Sequence, residues 1–126
     1  MDVCSLKEKL ENSPPDWYAL KTFIDGFFLL PADQRLTLIE EEPDIKGDEI
    51  QHCLVAGMAE ELSVMSGFSA PAWVNKDIYF LQQKMQVKNS ELAIIYERET
   101  ALYYKKRGLL CGPVVSKMHS SIKSDS

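Results

Sequence analysis

Apolar side chains recur at helical intervals along most of this chain, and nowhere do they alternate with polar ones over the length of a strand. The clearest stretch runs from residue 50 to residue 65. At about 100° per residue, Ile50, Cys53, Leu54, Gly57, Met58, Leu62, Val64 and Met65 fall in one broad arc. Asp48 and Glu49 stand at its start, where carboxylates favour the positive end of the macrodipole. Gly67 follows its last apolar residue, the place where a left-handed C′ position ends a helix. Glu61 breaks the pattern, because it projects to the middle of the apolar arc. Its carboxylate is expected to be paired or hydrogen-bonded inside the fold, or to meet a partner at an interface.

The same spacing sets out the other elements. Val3, Leu6 and Leu10 predict a short helix over 2–11. Ser13-Pro14-Pro15-Asp16 reads as a helix start with Ser13 as N-cap, followed by Trp17, Leu20, Ile24, Phe27 and Phe28 as the main packing wall. Pro31 closes that helix and opens a short one carrying Leu36 and Ile39, ended before Pro43. Residues 69–73 are expected to be extended, with Trp73 against the central helix; Ile78, Leu81 and Met85 then predict a helix over 77–87. Residues 91–108 predict one helix or two, bent near Glu99-Thr100, with Asn89 or Ser90 as cap and Gly108 as stop. Leu92, Ile95, Tyr96, Glu99 and Tyr103 mark one face of it. Leu109, Leu110 and Cys111 are expected to pack back on the core. The expected architecture is all-α: a compact bundle of about five to seven short helices around a central helix near residues 48–66. One helical domain over 1–115 would be followed by a serine- and lysine-rich disordered tail over 116–126.

Composition narrows the class. A chain of 126 residues that is 45% hydrophobic and 26% charged suits one soluble globular domain. No apolar run approaches the ~20 residues of a membrane span, and the charged start MDVCSLKEKLENS does not read as a signal peptide, so a cytoplasmic protein without membrane contact is expected. Cys4, Cys53 and Cys111 are too widely spaced for a disulfide framework, and Cys53 reads as a small core residue. Charge is uneven: residues 1–70 carry 14 acids and 5 bases, residues 71–126 carry 5 acids and 9 bases. The basic half suits an acidic partner, although a sequence pI near 5.0 is unlike that of a nucleic-acid-binding domain.

Catalytic and metal chemistry find little footing. His52 follows Asp48 by one turn and precedes Glu60 by two, which supplies at most two ligands on one helix face. Cys53 beside His52 points about 100° away, wrong for a nucleophile–base pair. Nucleophile-elbow, phosphate-loop, dinucleotide and zinc-protease motifs are absent. The expectation is a protein that is not an enzyme and needs no cofactor or metal. The acidic run Glu40-Glu41-Glu42 reads as a solvated face or a docking site for a basic segment, with Lys46 as its nearest relief. Lys105-Lys106-Arg107 reads as cations at a helix C-terminus, or as a phosphate contact. Val55 and Phe23, apolar on polar helix faces, would serve as exposed partner surface.

Four short motifs carry a resemblance. Glu41–Pro43 (EEP), Ala59–Leu62 (AEEL), Ala70–Val74 (APAWV) and the closing run Tyr103–Leu110 together resemble the C-terminal helical region of bacterial helix-turn-helix regulators and antitoxin-like proteins, across roughly residues 20–110. The resemblance implies an all-helical regulatory or antitoxin-like module that acts through protein contacts, with itself or with a toxin encoded beside it. The matching positions are Glu60, Trp73, Tyr104, Lys105, Lys106 and Arg107, to which the misplaced Glu61 is added. Only about a dozen residues precede Ser13, too few for the DNA-reading domain of such regulators, so protein contact is expected before DNA contact. A regulator that meets nucleic acid through the basic half is the alternative.

Overall fold

A computed structural model describes residues 4–11 and 15–119 of the chain. Among them are seven α-helices and no strand: α1 (Leu6–Lys9), α2 (Trp17–Leu29), α3 (Ala32–Arg35), α4 (Glu49–Met65), α5 (Ser90–Glu99), α6 (Leu102–Lys105) and α7 (Val115–Met118). Tight 3-10 turns at Leu36–Leu38, Ala72–Asn75 and Asp77–Tyr79 complete the helical structure. The all-α expectation holds.

The central helix is α4. Asp48 caps it by accepting from Gln51 N–H while the Gln51 side chain accepts from Asp48 N–H, so two free donors of the first turn are satisfied together. Gly67, with φ at +87°, ends it in the left-handed region that glycine enters without penalty. Its buried surface is not a stripe. Cys53 and every residue from Val55 to Ala59 are buried, and so are Leu62 and Ser63, whereas Ile50, Val64 and Met65 at the two ends are exposed. A helix surrounded by neighbours has no polar face over its middle turns. Here α6, α7 and the turns at 72–75 and 77–79 all pack on α4. Val55 is therefore core and not partner surface.

The second wall is α2, which packs on α1, α3 and α7. Asp16 caps it, accepting from Ala19 N–H. Ser13 and Pro14, expected to cap and open this helix, lie outside the described residues, as does Val3. The buried arc is Ala19, Leu20, Phe23, Ile24 and Phe27. Relative to the expected arc it is turned toward Phe23, so Phe23 joins the core, Phe28 is half-buried and Trp17 faces solvent.

Two segments depart from helical expectation. After the turn at Asp77–Tyr79 the chain runs without helix to residue 89. Leu81 N–H and Met85 N–H donate to the carbonyls of Arg107 and Gly108, so this stretch is held by the end of α6 and not by its own i→i−4 ladder. Tyr79, not Ile78, is the buried residue there. At the other end, the disordered tail expected from Ser116 starts too early. Val115–Met118 is a helix with Val115 and Met118 buried, and His119 Nδ1 lies 2.6 Å from Asp25 while its ring stacks on Phe28. Residues 120–126 lie outside the described residues.

Candidate functional site

The candidate residues gather where α4 meets α6 and the turn at 72–75. Glu60 and Glu61, neighbours on α4, diverge by about 100° and enter separate networks. Glu60 accepts from Arg107 Nη1 at 2.8 Å and from Lys106 Nζ at 2.6 Å. Arg107 is wholly buried. Its Nη1 also donates to Tyr103 O and its Nη2 to Val74 O, both at 2.7 Å, and the Phe80 ring covers the guanidinium at 4.9 Å. Only Arg107 Nε is buried without a hydrogen-bond partner among the described residues. Burial raises the Glu60 carboxyl, but hydrogen bonds and charge from Lys106 and Arg107 outweigh it and leave Glu60 below its ordinary value.

Glu61 faces the other way. Tyr104 Oη donates to it at 2.6 Å, and the Val115 backbone N–H also favours its charged form. Burial outweighs both and lifts Glu61 above the ordinary carboxyl value. Burial, then the Glu61 charge, pushes the Tyr104 hydroxyl well above its own. The internal hydrogen bond expected for Glu61 is present, and its donor is a tyrosine. The indole N–H of Trp73 goes elsewhere, to Ile39 O at 2.9 Å, which ties the 72–75 turn to the end of the 36–38 turn.

Glu61 carries a pH-dependent prediction. Its folded pKa lies above the unfolded one, so its contribution is fully present below about pH 4.5 and is lost as pH rises through the folded value. Glu61→Gln keeps a carbonyl acceptor for Tyr104 and removes the half-buried charge. The variant should be at least as stable as the parent at about pH 7, with its advantage shrinking toward about pH 4. Urea unfolding at the two pH values checks this. A loss at neutral pH that disappears in acid would reverse the assignment.

The basic run is occupied internally. Lys105 Nζ donates to Glu97 O, Lys106 pairs with Glu60, and Arg107 is buried, so the three cations do not form an open phosphate-binding surface. The acidic run is also engaged, though not by Lys46, which pairs with Asp44. Glu42 meets Lys76 and the Tyr79 hydroxyl, and Glu41 meets Lys7. His52 Nδ1 lies 2.7 Å from Asp48 O on its own helix. Among the described residues no three acidic, histidine or cysteine side chains converge as a metal site would require. Burial raises the Cys53 thiol and pushes the Cys111 thiol up to about 11, away from the thiolate form.

A different surface stands open. α5 buries none of its ten residues, and Leu92, Ile94 and Ile95 on it, with Leu102 at the start of α6, are exposed. Its footing is slight. Tyr96 lies beside Gly112, the Lys105 side chain reaches Glu97 O, and Thr100 after the helix accepts from Cys111 N–H and Gly112 N–H. Residues 90–105 form two helices, and the break between α5 and α6 falls at Thr100-Ala101, next to the expected bend at Glu99-Thr100. Of the expected face of Leu92, Ile95, Tyr96 and Glu99 on α5, only Tyr96 is turned toward the protein, together with Ala93.

Over the described residues the fold is an all-helical bundle, with a buried charged seam and an outlying helix that exposes aliphatic side chains. Compared with protein-family models, with curated proteins and with solved structures, the chain matches none.

Proposed function

We propose that this chain is a non-enzymatic protein-interaction module that docks through α5. One observation carries the reading: a helix of ten residues with nothing buried and three exposed aliphatics. Isolated helices shorter than about 12–15 residues are marginal in water, and helices in proteins draw their stability from packing an apolar face. α5 has such a face and leaves it open. An apolar patch rimmed by the charges of Glu91, Glu97, Arg98 and Glu99 is what a protein partner covers. Among the described residues no helix is long and apolar enough to cross a membrane. The four-motif likeness to antitoxin-like and regulatory proteins supports the same reading, and it supplies the choice of a toxin encoded nearby as partner.

The test is co-purification of tagged protein from its own cells through a high-salt wash, with Ile94→Arg in parallel. Ile94 is 66% exposed, so the arginine leaves the fold intact. The parent should retain a stoichiometric protein partner, and Ile94→Arg should lose it. Retention by both would place the docking surface elsewhere.

A further inference from the structure

We infer that α5 pairs with α5 of a second copy, antiparallel, about a two-fold axis between Ile94 and Ile95; this rests on the docking role proposed for α5. Ala93 and Tyr96 turn toward the protein, so at about 100° per residue the outermost line of the helix runs through Glu91 and Arg98, with Ile94 and Ile95 on either side of it. Glu91 and Arg98 stand two turns apart and equally far from the Ile94–Ile95 midpoint. A two-fold axis there brings each Glu91 against the copy's Arg98, twice, and gathers the four isoleucines at the centre. An isologous contact requires self-complementary charge, and this helix face has it. Both charges are available. Arg98 is 71% exposed and reaches only its neighbour Glu99, at 3.9 Å, and Glu91 has no ion-pair partner among the described residues. A shallow groove lined by Ala93, Ile94, Glu97, Arg98 and Leu110 lies beside this line, open to an aliphatic side chain from the copy.

A parallel arrangement would set Glu91 against Glu91 and Arg98 against Arg98, so charge selects the antiparallel one. Size sets the strength. Ten residues make a helix about 15 Å long, too short to bury the roughly 800 Å² per partner of a stable complex. The dimer is therefore weak, with a dissociation constant on the order of 100 µM.

The experiment is sedimentation of the full chain from about 10 µM to about 1 mM, with hydrogen exchange of the α5 amides on the dilute sample. The parent should dimerise across this range. Glu91→Arg or Arg98→Glu alone sets like charges together and should weaken the dimer about tenfold. The double swap rebuilds both pairs reversed and should return it to within about twofold. A dimer indifferent to the swaps, or one the double swap does not restore, overturns the inference. A monomer at every concentration also overturns it. If the α5 amides then exchange rapidly, the docking role of α5 stands without self-pairing; if they exchange as slowly as those of α4, α5 needs no partner and that role falls as well.

Discussion

Glu60→Leu is expected to destabilise the fold by about 3–5 kcal/mol. The cost does not come from losing a favourable surface pair. It comes from leaving the Arg107 guanidinium wholly buried, with two carbonyls and an aromatic face around it but no anion. Arg107→Met should cost a similar amount for the opposite reason. It strips the donor from Tyr103 O and from Val74 O, each costing about 1–3 kcal/mol as an unpaired buried acceptor, and leaves Glu60 with Lys106 alone. The double variant should be clearly less destabilised than the sum, since the buried Arg107 charge that Glu60→Leu strands is then absent. It should not regain parental stability, because the two carbonyls stay unpaired. Glu60 also gives the seam a pH signature. Its folded pKa lies below the ordinary 4.5, so its stabilisation is present above about pH 4.5 and is lost as pH falls through the folded value. Glu60→Leu should therefore flatten the acid limb of the stability curve, in the sense opposite to Glu61→Gln. Urea melts of the parent, both single variants and the double variant, at neutral and acid pH, read all of this. Strict additivity would mean that Glu60 and Arg107 are not coupled.

Much of this arrangement was legible in the sequence. The bounds of α4 follow from Asp48 and Gly67 because capping chemistry is local, and a carboxylate within four residues of its amide leaves little for tertiary structure to decide. The burial of Trp73 and the internal tie of Glu61 were equally readable, since a large ring and a misplaced charge each demand a partner. Which partner was not readable. Arg107 lies 47 positions from Glu60, and periodicity within one helix carries no information on what crosses it. Periodicity also failed for residues 77–87, where Ile78, Leu81 and Met85 keep helical spacing in a stretch whose backbone donors are taken by Arg107 O and Gly108 O. A competing acceptor from a distant segment outweighs a three-residue apolar pattern. The openness of α5 was not legible for a related reason: spacing marks a face on a helix but carries no information on what lies against it.

Gly57→Ala is expected to destabilise by about 1–3 kcal/mol, against the usual sign of that substitution. In an exposed helix interior the change stabilises by about 1 kcal/mol, because alanine restricts the unfolded chain and forms helix more readily. Gly57 is instead the notch through which α4 and α6 approach. A Cβ there would stand 2.6 Å from Tyr104 Cδ1 and 2.8 Å from Cε1. The ring cannot swing aside cheaply. Tyr104 is wholly buried, and its hydroxyl is held by Glu61 at 2.6 Å, so displacing the ring also breaks a hydrogen bond to a half-buried carboxylate. Thermal and urea unfolding of Gly57→Ala give the size of the effect, and a Tyr104→Ala background gives its cause. With the ring gone, the alanine has room, and its intrinsic helix preference should reappear as a gain of about 1 kcal/mol. A loss that persists without the ring would place the constraint in the backbone of α4 and not in its contact with α6.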